Sequence, residues 1–149
     1  MKKYEFTGEV KMLFGMTLHR IKAIVAFDEV EVGEIGGWIE KEENLDHSGD
    51  AWVSGDARVY GNARVYGNAH WMGIACIGSR NGFTTFFRTK EKKIFVSCGC
   101  FSGYIDKFAA KVKRTHGENE HAKAYMLAIE LAKLRIDLSG ELPEPPKGE

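Results

Sequence analysis

The sequence predicts a mainly β fold with α: a short parallel β-helix over residues 37–78, capped by N-terminal β structure in residues 1–36. A ββαα module in residues 79–138 and a flexible tail, 139–149, follow. Three observations carry this. Glycine returns every sixth residue from Gly49 to Gly73, each unit alternates small or apolar with variable residues, and beyond Gly78 the period gives way to strand and helix patterns.

The repeat reads GDAWVS, GDARVY, GNARVY, GNAHWM, GIACIG. Within each unit Ala51, Ala57, Ala63, Ala69 or Ala75 stands two places before Val53, Val59, Val65, Trp71 or Ile77, so period two puts each pair on one side of a short strand. Trp52, Arg58, Arg64 and His70 then point outward. Gly-Asp and Gly-Asn suit corners, where unusual backbone angles are needed. A coil of three flat faces, one per hexad, accounts for both features, and Gly37, Ile39, Glu43 and Leu45 extend its phase backwards. The pattern resembles the left-handed hexapeptide β-helix, and that resemblance supplies the handedness. So short a stack exposes its ends and needs caps or partners. A homo-oligomer, with a trimer favoured, is therefore expected, with Trp52, Tyr60, Tyr66 and Trp71 or Met72 as interface candidates.

Before the repeat, strand-like runs lie at Tyr4 to Phe6, Leu18 to Phe27 and Val30 to Val32. After it, Ser79-Arg80-Asn81-Gly82 reads as a turn, and Phe83 to Thr89 and Ile94 to Cys98 read as strands joined by EKK. A helix is expected from about Tyr104 to Thr115, closed by Gly117. Asn119 then reads as the N-cap of a second helix reaching about Ile136. That helix has two apolar stripes, one of Tyr125, Ile129, Ala132 and Ile136 and one of Leu127, Leu131 and Leu134, which implies contact on two sides.

With 44% apolar residues and few prolines the chain reads as folded. No stretch is long enough to cross a bilayer, and MKKYEFTGEV has no apolar run behind its charges to serve as a secretory signal, so a cytoplasmic protein without membrane contact is expected. Cys76, Cys98 and Cys100 are too few for a disulfide framework, and C-x-C is not the spacing of a zinc pair, so no metal and no cofactor is expected.

The formal net charge of zero conceals an asymmetry. Residues 1–48 hold six Lys and Arg against ten Asp and Glu, whereas Ser79 to His116 hold nine against two. The second stretch is where an anion would be met. Arg80 can grip a phosphate or carboxylate with its guanidinium fork, Ser79 and Asn81 can add hydrogen bonds, and Thr84, Arg88, Ser97 and His116 can complete a polar wall. Phe83, Phe86, Phe87 and Phe95 offer rings for a base. His116 has no nucleophile or carboxylate nearby in sequence, and no catalytic residue is assigned. Nucleic acid is disfavoured, because no recognisable module accompanies the basic excess.

The succession of GEIGGWIE, the hexads, IGSRN, FVSCGCFSG and KRTHGENEHAKAY resembles a group of uncharacterised bacteriophage and prophage proteins. The resemblance implies counter-defence: an oligomer binding, and sequestering, a small anionic nucleotide-like ligand such as a cyclic nucleotide or an ADP-ribose derivative in the host cytoplasm. The repeat alone is also similar to that of the hexapeptide acyltransferases, which implies acyl transfer as an alternative. His70 is the tract's one histidine, however, and the tract is shorter than theirs. A structural or protein-interaction scaffold is the remaining alternative.

Overall fold

The computed structural model describes residues 2–140. Eight strands and two helices follow one another in this span: β1 (Tyr4–Leu13), β2 (Met16–Ala23), β3 (Ile35–Ile39), β4 (Arg58–Val59), β5 (Trp71–Ile77), β6 (Gly82–Arg88), β7 (Ile94–Cys98), β8 (Phe101–Tyr104), α1 (Ile105–His116) and α2 (Glu120–Arg135). They form two four-stranded sheets, β1-β2-β3-β4 and β5-β6-β7-β8, with both helices on the second. The fold is thus mixed α and β with mainly antiparallel sheets.

This corrects the expected left-handed parallel β-helix. Parallel pairing in the hexad tract is confined to Trp38↔Arg58, Ile39↔Val59 and the single bridge Leu45↔Val65. These pairs lie twenty positions apart, where three hexads per turn would require eighteen. At the corners, Ala57 N donates to Ser54 O and Ala63 N to Tyr60 O, with Gly55 and Gly61 both at φ +62°. Each turn consumes most of a hexad, and the only strand left in these units is the two-residue β4.

The last two hexads depart altogether, because Trp71–Ile77 becomes an antiparallel partner of β6. Gly73 keeps the six-residue phase for a different reason. It lies opposite Thr85 under the Phe83 ring, and a Cβ there would come within 2.6 Å of that ring.

The inward set of the earlier hexads is nonetheless buried. Ala51, Val53, Ala57, Val59, Ala63 and Val65 pack with Tyr4, Ile21, Ile39, Leu45 and Phe87 in one core. Two of the positions read as outward are covered as well: Trp52 packs edge-on against Phe27 and over Gly36, and His70 is buried near Arg88. Tyr60, read as an interface residue, packs edge-on against Phe87 and Phe95 inside the chain. Of those aromatics, Trp71 and Met72 are half-buried and Tyr66 is exposed.

Polar side chains hold this irregular backbone. Asn44, fully buried, accepts from Lys41 N and donates to Gly61 O and Ala63 O, tying a 3-10 turn to the facing corner. Lys3 donates from Nζ to Gly49 O at 2.6 Å and Ala51 O at 2.8 Å. Burial of that ammonium lowers its pKa to about 8, with Asp46 and Asp50 pulling the other way.

β1 and β2 close through Phe14 and Gly15, both at positive φ, in a two-residue hairpin that carries Lys11 beyond the first core. The second sheet is covered on both faces. Phe87 faces the hexad core, while Phe86 and Val96 face Phe108, Val112, Tyr125 and Ile129 of the helices. α2 begins as expected at Asn119, whose side chain accepts from Ala122 N at 3.0 Å. Among the described residues no helix is long and apolar enough to cross a membrane.

Candidate functional site

At one end of the second sheet the strands run out into turns with little bulk. Gly78 at φ +84° and Asn81 at φ +50° reverse the chain between β5 and β6, with Asn81 N donating to Gly78 O. Gly99 at φ +54° reverses it between β7 and β8. These turns expose the sheet's end, and α1 and the hexad tract rise on either side of it. The result is an open groove of about 840 Å³.

Its lining comes from every part of the chain. Ser79, Arg80 and Phe83 stand at the β5–β6 turn, Cys98, Phe101 and Ser102 at the β7–β8 hairpin, and Lys111, Arg114, Thr115 and His116 on α1. Lys11, Asp56 and Arg58 reach it from the N-terminal half, and Tyr125 from α2. Lys111 sits three residues before Arg114 and four before Thr115, so helical geometry places all three side by side. Five Lys and Arg side chains, with His116, thus meet a single acid, Asp56.

These cations are not equivalent. Arg58 Nη2 donates to Gly99 O at 3.3 Å, and its backbone N donates to Thr85 Oγ1 at 3.1 Å, which fastens the hexad tract to the second sheet. Lys11 lies over the Trp38 ring at 4.3 Å. Arg80, Lys111 and Arg114 are exposed and have no hydrogen-bond or ion-pair partner among the described residues. Their convergence is a positive field that, among the described residues lining the groove, meets Asp56 as its one acid.

Less polar groups form the base of the groove. Thr84 Oγ1 donates to Cys98 Sγ at 3.1 Å, and that sulfur lies 3.6 Å from Tyr125 Oη. Burial, then the neighbouring Cys98, push the Tyr125 phenol well above its usual pKa, so it stays a neutral hydroxyl. Gly78 leaves room for it, since a Cβ at that position would run into Tyr125 Oη. The His116 ring stacks on Tyr125 with centroids 5.9 Å apart. Partly covered Phe83 and Phe101 present rings at the groove, and Ser79, Ser102 and Thr115 present hydroxyls.

Of the residues the sequence proposes for a ligand, Ser79, Arg80 and His116 come together here. Asn81 stays exposed in the same turn without lining the groove. Thr84 and Ser97 are fully buried and do not reach it.

Arg88 has a different role. Only 1% exposed, it donates to the carbonyls of Asp137 (3.0 Å), Ser139 (2.8 Å) and Gly140 (2.8 Å), clasping the segment after α2 against the sheet. Asp137 N donates to Ala69 O in the same clasp. Beside it, His70 Nδ1 accepts from Tyr66 N and Gly67 N, both at 3.1 Å, and burial followed by the Arg88 charge lowers its pKa.

Sequence reasoning missed Lys11, Arg58, Lys111, Arg114, Cys98 and Tyr125 as groove residues. The basic excess between Ser79 and His116 pointed to Lys111 and Arg114, and the outward hexad position pointed to Arg58. Lys11 gave no local signal, because a hairpin carries it there. No protein-family model matches this chain, and no curated protein matches it either.

Proposed function

We propose that this protein binds a small anionic, nucleotide-like ligand in the groove between α1, the end of the second sheet and the hexad tract, and withdraws it from solution. The observation that carries the reading is the convergence of Arg80, Lys111 and Arg114, unpartnered among the described residues, on one cavity beside Phe83 and Phe101. A cavity of this volume falls in the range that takes drug-sized ligands. Guanidinium forks suit phosphate oxygens, and the two rings suit the face of a base. Ser79, Ser102 and Thr115 add donors for a sugar or phosphate edge. The alternative of acyl transfer rested on the likeness of the repeat to the hexapeptide β-helix, and the corrected fold removes that basis.

A nucleotide ligand and three unbridged cysteines fit a cytoplasmic setting. Sequestration of a cyclic nucleotide or an ADP-ribose derivative is the role that follows. Native mass spectrometry of the purified protein, followed by calorimetric titration with cyclic nucleotides and ADP-ribose, tests it. The expected result is stoichiometric binding that Arg80→Ala weakens by about tenfold or more, the worth of one charge-assisted hydrogen bond. A protein that is purified empty and binds no member of that panel would overturn the reading.

A further inference from the structure

α2 buries one of its apolar stripes and leaves the other in the open. Tyr125, Ile129, Ala132 and Ile136 are buried against the second sheet and α1, whereas Leu127, Leu131 and Leu134 are 73%, 45% and 83% exposed. At 100° per residue these leucines project from the side of the helix opposite the buried stripe. Three large apolar side chains so exposed on one ridge mark a contact surface, not scattered surface leucines.

The spacing of the ridge says what kind of contact. Steps of four and then three, from Leu127 to Leu131 to Leu134, are the d-a-d steps of a heptad seam, and Ala124 falls at the preceding a position. Glu130 then occupies g, and Arg135 occupies the e position five residues on. In a parallel pair of such helices, g of one helix faces e of the next heptad in its partner, so Glu130 meets Arg135 in both directions. Among the described residues Glu130 has only an exposed contact to Lys133 at 3.6 Å, and Arg135 has no partner. Apolar spacing and charge are therefore complementary to this same helix.

We infer that α2 is a self-association surface: it pairs in parallel, about a two-fold axis, with α2 of a second copy of this chain. Leu127, Leu131 and Leu134 form the seam, and Glu130–Arg135 pairs flank it. The groove described above lies outside this seam, so the inference stands or falls without the ligand-binding reading.

Analytical ultracentrifugation of the full chain over a wide concentration range tests it. The expected result is a twofold chain mass. Leu131→Lys removes an apolar side chain from both partners and should weaken the dimer about a hundredfold, with an unchanged far-UV circular dichroism spectrum. Glu130→Arg, a surface change that leaves packing within the protomer alone, should weaken it several-fold, and Glu130→Arg with Arg135→Glu should restore it. A single-chain mass at every concentration would overturn the inference. So would a dimer indifferent to Leu131→Lys, or a charge swap that rescues nothing.

Discussion

In the N-terminal half, Lys3 is 3% exposed and donates its ammonium to Gly49 O and Ala51 O; at the groove, Arg80, Lys111 and Arg114 are exposed and have no such acceptors among the described residues. The two regions use positive charge in opposite ways. A buried cation has lost its hydration and must be repaid by acceptors held in place, so its worth is measured in folding. Exposed cations of like sign repel one another, add little to stability and acquire their largest favourable interaction from outside. Arg88 shows that the division follows surroundings and not sequence neighbourhood. It belongs to the basic stretch, yet it behaves like Lys3.

The largest effect is expected at Arg88. Arg88→Met should leave the carbonyls of Asp137, Ser139 and Gly140 without their donor and cost about 3 kcal/mol in urea unfolding. A loss below about 1 kcal/mol would remove Arg88 from the structural class. Asn44→Ala comes next. It deletes two donations and one acceptance in a fully buried site, and a cost of about 2–3 kcal/mol is expected from the same measurement.

Lys3 supplies a pH test of the same division. Its pKa is about 8 in the folded chain against the ordinary 10.5. Between these values the unfolded chain holds a proton that the folded chain has released, so raising pH favours folding. Stability from this site should climb by on the order of 1–2 kcal/mol from about pH 8 toward 10.5, and Lys3→Met should abolish that slope. A flat profile in the wild type would show that the ammonium is not strained by burial. The smallest effect is expected at the groove: Lys111→Ala or Arg114→Ala should change unfolding free energy by less than about 0.5 kcal/mol, and relief of repulsion can make the change favourable.

The same contrast explains what was legible in the sequence. The two helices were, because period and cap are local: Phe108 and Val112 fall on one face of α1, and Asn119 caps α2 through Ala122 N. The hexads correctly marked Ala57, Val59, Ala63 and Val65 as interior, since alternation reports which side of the backbone is covered. They could not tell which backbone would pair with which. Gly73 keeps the phase of six but makes room for Phe83, and Trp71–Ile77 joins an antiparallel sheet.

The candidate site divided likewise. Ser79 and Arg80 were readable from a glycine-rich turn at a junction of patterns, because such a turn lies at the surface. Thr84, Arg88 and Ser97 were read as a wall because they are polar residues in strands, and nothing local shows that α2 and the segment ending at Gly140 cover Thr84 and Arg88 while the hexad tract covers Ser97, which lies opposite Thr85 on the other face. Lys11, Arg58 and Tyr125 reach the groove only through long-range packing.

The most direct test of the account removes all three open cations together. Wild-type protein and the Arg80→Ala, Lys111→Ala, Arg114→Ala triple variant would be titrated calorimetrically with cyclic nucleotides and ADP-ribose, and their melting temperatures recorded in parallel. The expected result is binding by the wild type, at least a hundredfold weaker binding by the triple variant, and a melting temperature that is unchanged or higher. Equal binding by both proteins, binding by neither, or a triple variant that melts well below the wild type would contradict it.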